Sequence, residues 1–242
     1  FFMCWSATAS LAFGTAAVAT AVYVEQKHES KRVVVPLLFF SLIEFIQFFS
    51  FFWVGECSFK ENTILTTLSY IHVAFQPLFL NMFFMYWLPV HIKKRIRHRV
   101  YGICLALASL TLLKLVPWYP DSLCAQGQVM CGKMMCTVMG NWHQAWGVPY
   151  YNFPIPFDAF VYFAIGVFIL PLFYGAWRSV VTTFIGGPLI AYFLASGNNQ
   201  EWPAIWCTYS VLLIMIGLII HVHDTKKPVR LYRKLFTITK YD

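Results

Sequence analysis

Charge is scarce in this chain: Asp and Glu together number 10 in 242 residues, and all charged residues make up 12%. Set against 59% hydrophobic residues and a mean hydropathy of +0.62, that scarcity excludes an ordinary soluble globular protein. No stretch reads as a soluble domain, and no internal repeat is present. Strict polar/apolar alternation is also missing, as the run from Val33 to Val54 illustrates, which excludes a β-barrel. The α-helix remains, because backbone groups in lipid have no water to pair with. No serine-nucleophile elbow, phosphate-binding glycine loop or nucleotide motif occurs. The last apolar block, Ala204 to His221, lacks a lysine, so a retinal Schiff base is excluded.

What is present is a series of apolar blocks, each close to the roughly 20 residues that cross a bilayer as a helix. They run from Trp5 to Val24, Val33 to Gly55, Thr63 to Val90, Val100 to Trp118, Ile155 to Trp177, Ser179 to Ser196 and Ala204 to His221. The expectation is an all-α polytopic membrane bundle of seven transmembrane helices over residues 1–224, followed by a basic cytoplasmic tail, 225–242. The first block lacks a basic region ahead of it, and its charges follow it. It therefore reads as a retained helix, with Phe1 and Phe2 preceding the first methionine, Met3. Pro77 lies inside the third block, where a kink is expected. Gly186-Gly187-Pro188 in the sixth permits close helix contact or a break.

Basic residues orient the bundle, since short loops rich in Lys and Arg stay cytoplasmic. Lys27, Lys31 and Arg32 lie in one such link, Lys93, Lys94, Arg95, Arg97 and Arg99 in the second, and the tail adds Lys226, Lys227, Arg230, Arg233, Lys234 and Lys240. The opposite links carry Lys60 and Lys133 alone. The N-terminus is thus expected outside and the C-terminus inside, with a Cys- and Trp-rich exoplasmic loop over residues 119–154. The net charge of +8 falls mainly on the inner face, where anionic lipid is its partner; charges that flank spans do not indicate nucleic acid.

Six of the seven cysteines, Cys4, Cys57, Cys124, Cys131, Cys136 and Cys207, fall at or beyond the outer boundary, which points to disulfides in an oxidising compartment. Cys4 and Cys207 open the first and last helices, neighbours in a ring of seven, and are expected to pair. The other four are expected to pair among themselves. Unpaired thiols and a zinc site are the alternatives, although Cys131 and Cys136 lack the tight spacing of structural zinc.

Polar side chains within the spans are costly unless they face the bundle interior. Glu44 and His72 lie at similar depth near the expected midplane, with Gln47 one turn from Glu44 and Ser69 and Gln76 on the same face as His72. They form either a structural hydrogen-bond cluster or a proton-relay, metal or ligand site. A second group gathers at the outer rim: Trp142, His143, Trp146, Asp158 and Glu201. Tryptophan is common at membrane interfaces, and a lidded pocket for a ligand or metal is the alternative. His72, His143 and Glu201 are the metal candidates.

Met3-Cys4-Trp5-Ser6, His72-Val73-Ala74-Phe75-Gln76-Pro77, Gly140-Asn141-Trp142-His143, Gly175-Ala176-Trp177-Arg178 and Glu201-Trp202-Pro203-Ala204 resemble the blocks of a multi-pass membrane family, found mainly in bacteria, whose members begin Met-Cys-Trp-Ser. That family is a domain of unknown function. The resemblance covers roughly residues 3–220, implies the multi-pass fold and directs attention to Cys4, His72, His143 and Glu201. It implies no activity. Three functional classes stay open: a non-catalytic accessory subunit or small-ligand-binding bundle with a polar midplane pocket, partnered by other membrane subunits; a membrane-embedded, metal-dependent enzyme; and a proton-coupled transporter or channel. Nucleotide and retinal cofactors are not expected; a metal is open.

Overall fold

The computed structural model describes residues 5–27, 31–152, 154–155 and 157–224. Cys4 and the basic tail, 225–242, lie outside the described residues. Seven helices are described: α1 (Ala7–Gln26), α2 (Lys31–Ser50), α3 (Lys60–Tyr86), α4 (Val90–Leu113), α5 (Ala159–Phe173), α6 (Trp177–Ala195) and α7 (Trp202–Asp224). All except α5 are long and apolar enough to cross a membrane. A two-stranded antiparallel hairpin, β1 (Cys136–Met139) and β2 (Gln144–Gly147), lies between α4 and α5.

Local chemistry sets the helix ends. Ser6 caps α1 by accepting from the Ala9 N–H, and Asp158 caps α5 by accepting from Val161 at 2.9 Å. Helix α4 begins at Val90 rather than Val100, so the basic run is helical: Pro89 starts it, and Lys and Arg are good helix formers without a breaker among them. Helix α2 stops at Ser50, short of the expected Gly55, in a series of turns that ends at the positive φ of Gly55. Helix α3 runs on through Pro77, whose carbonyl takes the Asn81 amide at 2.7 Å.

Wide π turns interrupt α5 at Ile165–Ile169 and α6 at Ile185–Leu189. The second coincides with Gly186-Gly187-Pro188. A side chain on Gly187 would collide with the Trp206 ring of α7, so the glycine provides the close contact expected there while the helix continues.

Short links make α1–α2, α2–α3 and α3–α4 antiparallel neighbours, and α7 packs against α1 and α2 as well as α6. First and last helices are therefore neighbours. Long apolar side chains such as Phe173 and Phe193 stay exposed on the outside of the bundle. The described residues between 114 and 158 fold over one end as a cap. Trp5, at the start of α1, reaches this cap by donating its backbone N–H to the Trp142 carbonyl.

Candidate functional site

The cap is tied down at several points. Disulfides join Cys57 to Cys136 and Cys124 to Cys131, with Cα separations of 5.2 and 5.8 Å, so the four thiols expected to pair among themselves do so. Buried Asn62 of α3 reads both backbone groups of Thr137: its Nδ2 donates to the Thr137 carbonyl at 2.9 Å and its Oδ1 accepts the Thr137 N–H at 2.7 Å. On the other strand, the Trp146 N–H donates to the Gln200 carbonyl at 2.9 Å. The hairpin thus bridges the α2–α3 and α6–α7 links.

The turn between the strands closes around Glu201. Its buried carboxylate accepts the successive backbone N–H groups of Asn141, Trp142 and His143, and Asn198 Nδ2 approaches at 3.4 Å. Three amide dipoles aimed at one carboxylate make an anion nest filled by the protein's own side chain. His143 lies beneath, fully buried, its ring stacked on Trp5 at 5.5 Å and near Trp142 and Phe51. Its Nδ1 accepts the Gln144 N–H at 2.7 Å, and Nε2 has no partner among the described residues. Burial pushes this imidazole down to about 3, so it is neutral at ordinary pH.

Deeper in the bundle the polar residues form two joined clusters. His72 Nε2 sits 2.9 Å from the Phe39 carbonyl, which can only accept; Nε2 is therefore protonated, and Nδ1 accepts from Gln76 Nε2 at 3.2 Å. The Gln76 amide also donates to Cys207 Sγ at 3.0 Å, while its Oε1 accepts Trp206 Nε1 at 2.8 Å. This group is self-satisfied. Glu44 faces the interior, as expected: its Oε1 accepts the Thr208 hydroxyl at 2.8 Å, and Ser10 also hydrogen-bonds to the carboxylate. Gln47 donates to the Ala204 carbonyl at 3.3 Å. Helix α7 is the hub, with Cys207 accepting from Gln76 and Thr208 donating to Glu44.

The expected site residues are thus distributed over three places. Glu44 and Gln47 look toward α7, and both ring nitrogens of His72 are engaged by Phe39 and Gln76 rather than by Glu44. Trp142, His143, Trp146 and Glu201 do come together in the cap, but Asp158 serves as the α5 cap and Trp146 is a core side chain of the hairpin. Cys207, expected to pair with Cys4, is a buried free thiol that takes the Gln76 amide; Cys4 lies outside the described residues. Among the described residues no group of three or more His, Cys, Asp or Glu is placed to hold a metal ion. Expectation passed over Asn62, Gln144, Trp206 and Thr208. Thr208 could have been found as a hydroxyl inside an otherwise apolar run; nothing local marks Asn62 or Gln144, whose partners lie 75 and 97 residues away.

A cleft of ≈ 490 Å³ opens in the cap between the Cys124–Cys131 loop and residues 197–200. Gln126, Gln128, Asn198, Asn199 and Gln200 line it, and Lys133 is its charged residue. Asn199 Nδ2 is tied to the Gly127 carbonyl at 2.6 Å and Gln200 Nε2 to that of Cys131, so the two walls are braced against each other.

Fold and site together define a helical bundle with six helices of membrane-crossing length, closed at one end by a disulfide-tied cap. The chain belongs to DUF5765, a family of unknown function, whose model matches residues 8–227. No curated protein and no solved structure matches it.

Proposed function

We propose that this is an integral membrane protein of seven spans, cap outside and C-terminus inside, and that it is a non-catalytic bundle receiving a small polar ligand in the cap cleft. The orientation is supported by the basic residues, because Lys27, Lys31, Arg32 and the run from Lys93 to Arg99 all lie at the end opposite the cap. Helix α5 is the short span. The chain leading into it stays paired where Lys114 Nζ donates to the Ile155 carbonyl at 3.1 Å, as irregular backbone inside a membrane must.

The observation that carries the ligand reading is the cleft itself. Its ≈ 490 Å³ is of the size that takes small molecules, and its walls are pre-organised. Amide donors and acceptors with one lysine suit a hydroxylated molecule, neutral or singly anionic. A midplane pocket, by contrast, would have to break the His72–Gln76–Trp206 group to admit a guest. The non-catalytic reading is supported by the engagement of His72 and Glu201, which are bonded to Gln76 and to backbone amides.

The test is thermal stabilisation of the purified protein by a panel of sugars, polyols and single-phosphate headgroup analogues. A compound that binds should raise the melting temperature, by about 2.7 kcal/mol of stability at one hundred times its dissociation constant, and Gln126→Trp, which fills the cleft, should remove the effect. Stabilisation untouched by that substitution, or none across the panel, would contradict the reading.

A further inference from the structure

Among the buried polar atoms without a partner in the described residues are His143 Nε2, Gln144 Oε1, Gln47 Oε1 and Glu44 Oε2; Trp146 Nε1, Asn152 Oδ1 and Ser210 Oγ are others. The first four are not scattered. Gln144 Nε2 donates to the Gln47 main-chain carbonyl at 2.8 Å, which lays the Gln144 side chain along α2. Gln47 is one turn from Glu44 on the same helix, and both reach toward α7, at Ala204 and Thr208, again one turn apart. His143 precedes Gln144 and stacks on Trp5, whose Nε1 donates to Ser10 at 2.8 Å, and Ser10 in turn touches Glu44. The atoms therefore descend in order from the cap to Glu44, between α1, α2 and α7.

An unpaired buried polar group costs on the order of 1–3 kcal/mol, and four placed in succession from the cap to Glu44 are far from ordinary. Two are amide oxygens that accept, the Glu44 oxygen accepts as carboxylate and donates as carboxylic acid, and one is an N–H, because His143 Nδ1 already accepts from Gln144 and leaves the hydrogen on Nε2. Water satisfies both kinds at once, accepting from the imidazole and donating to the amides. We propose that buried water lies beside these atoms between α1, α2 and α7 and forms a file through which the Glu44 carboxyl exchanges its proton with the solvent at the capped end. One proton enters along the file when the carboxylate is protonated, and one leaves when it ionises; solvent is the co-reactant in both directions.

The titratable groups facing Glu44 from the elements packed around it are few. Helix α7 presents Cys207, α3 presents His72 beyond Gln76, and the hairpin presents His143; α1 offers the Ser10 hydroxyl. Lys31 and Arg32 of α2 stand at its opposite end. The file is thus the route to Glu44 from the cap, and it does not pass through His72. The inference stands on the fold and on these atoms, independent of the cleft.

The experiment is infrared titration of the protein in proteoliposomes with the pH clamped on one side at a time, Glu44 being assigned by the bands lost in Glu44→Gln. Expected is interconversion of its carboxyl and carboxylate bands when pH changes on the cap side alone, with the response slowed about tenfold in Gln144→Met or Gln47→Met. Two variants on different elements separate a blocked file from a damaged hairpin, and each is checked for the native melting profile. Bands that follow pH on the opposite side, that stay fixed over the whole range in which the protein remains folded, or that respond equally fast in both variants would overturn the proposal.

Discussion

The Glu201 carboxylate occupies the space that a side chain on Gly140 would need: a Cβ at residue 140 would lie 2.5 Å from Glu201 Cδ. The turn and the acid are therefore a single unit, in which Gly140 makes room and the next three amides hold the charge. Gly140→Ala and Glu201→Gln should each destabilise the protein by roughly 2–4 kcal/mol, the first by steric expulsion of the carboxylate and the second by turning an amide against N–H donors. Thermal melts that match wild type would show that the nest does not hold the cap.

The two disulfides should differ in worth. Cys57–Cys136 closes 79 residues and Cys124–Cys131 only 7. Chain entropy then gives about 4.5 kcal/mol for the long loop and 2–3 kcal/mol for the short one. Double Cys→Ser variants should rank in that order. Peptide mapping should find these pairs, with Cys104 and Cys207 alkylated only after denaturation.

Histidine 143 gives the cap a pH dependence. Its folded value, about 3, lies below the unfolded 6.5, so the unfolded chain binds more protons between those limits. The stability it contributes is complete above pH 6.5 and falls as pH drops toward 3, by up to about 1.4 kcal/mol per pH unit. Melting temperature measured from pH 7 to pH 4 should decline, and His143→Phe should flatten the decline. An identical slope in the variant would remove His143 as the cause.

Gln76→Met should cost roughly 2–4 kcal/mol, because it leaves His72 Nδ1 and Trp206 Nε1 buried without partners. Ligand binding in the cap cleft should survive it. Loss of binding with full stability would move the site back to the bundle interior.

Much of the architecture was legible because it follows from solvent. Apolar block length placed all seven helices, and the polar residues Glu44, Gln47, His72 and Gln76 were rightly expected to face inward. Helix ends were less legible: the basic run before Val100 reads as a link, yet nothing in it stops a helix. The partnerships were least legible. The expected grouping of Glu44 with His72 rested on similar depth near the midplane, whereas Trp206, Cys207 and Thr208 of α7 supply or mediate the contacts from more than 100 residues away. Long-range pairing of this kind leaves no periodic trace. The cap shows the same limit: Asn141 to Trp146 stood out by composition, but only the fold reveals Glu201 as the ligand of that turn.

The seven-span arrangement with the cap outside is tested most directly by mapping both ends in intact cells. A reporter after Asp242 should be cytoplasmic and one before Trp5 exoplasmic, with a third inserted at the exposed Gln126 on the same side as Trp5. Both ends on one side of the membrane would contradict the account.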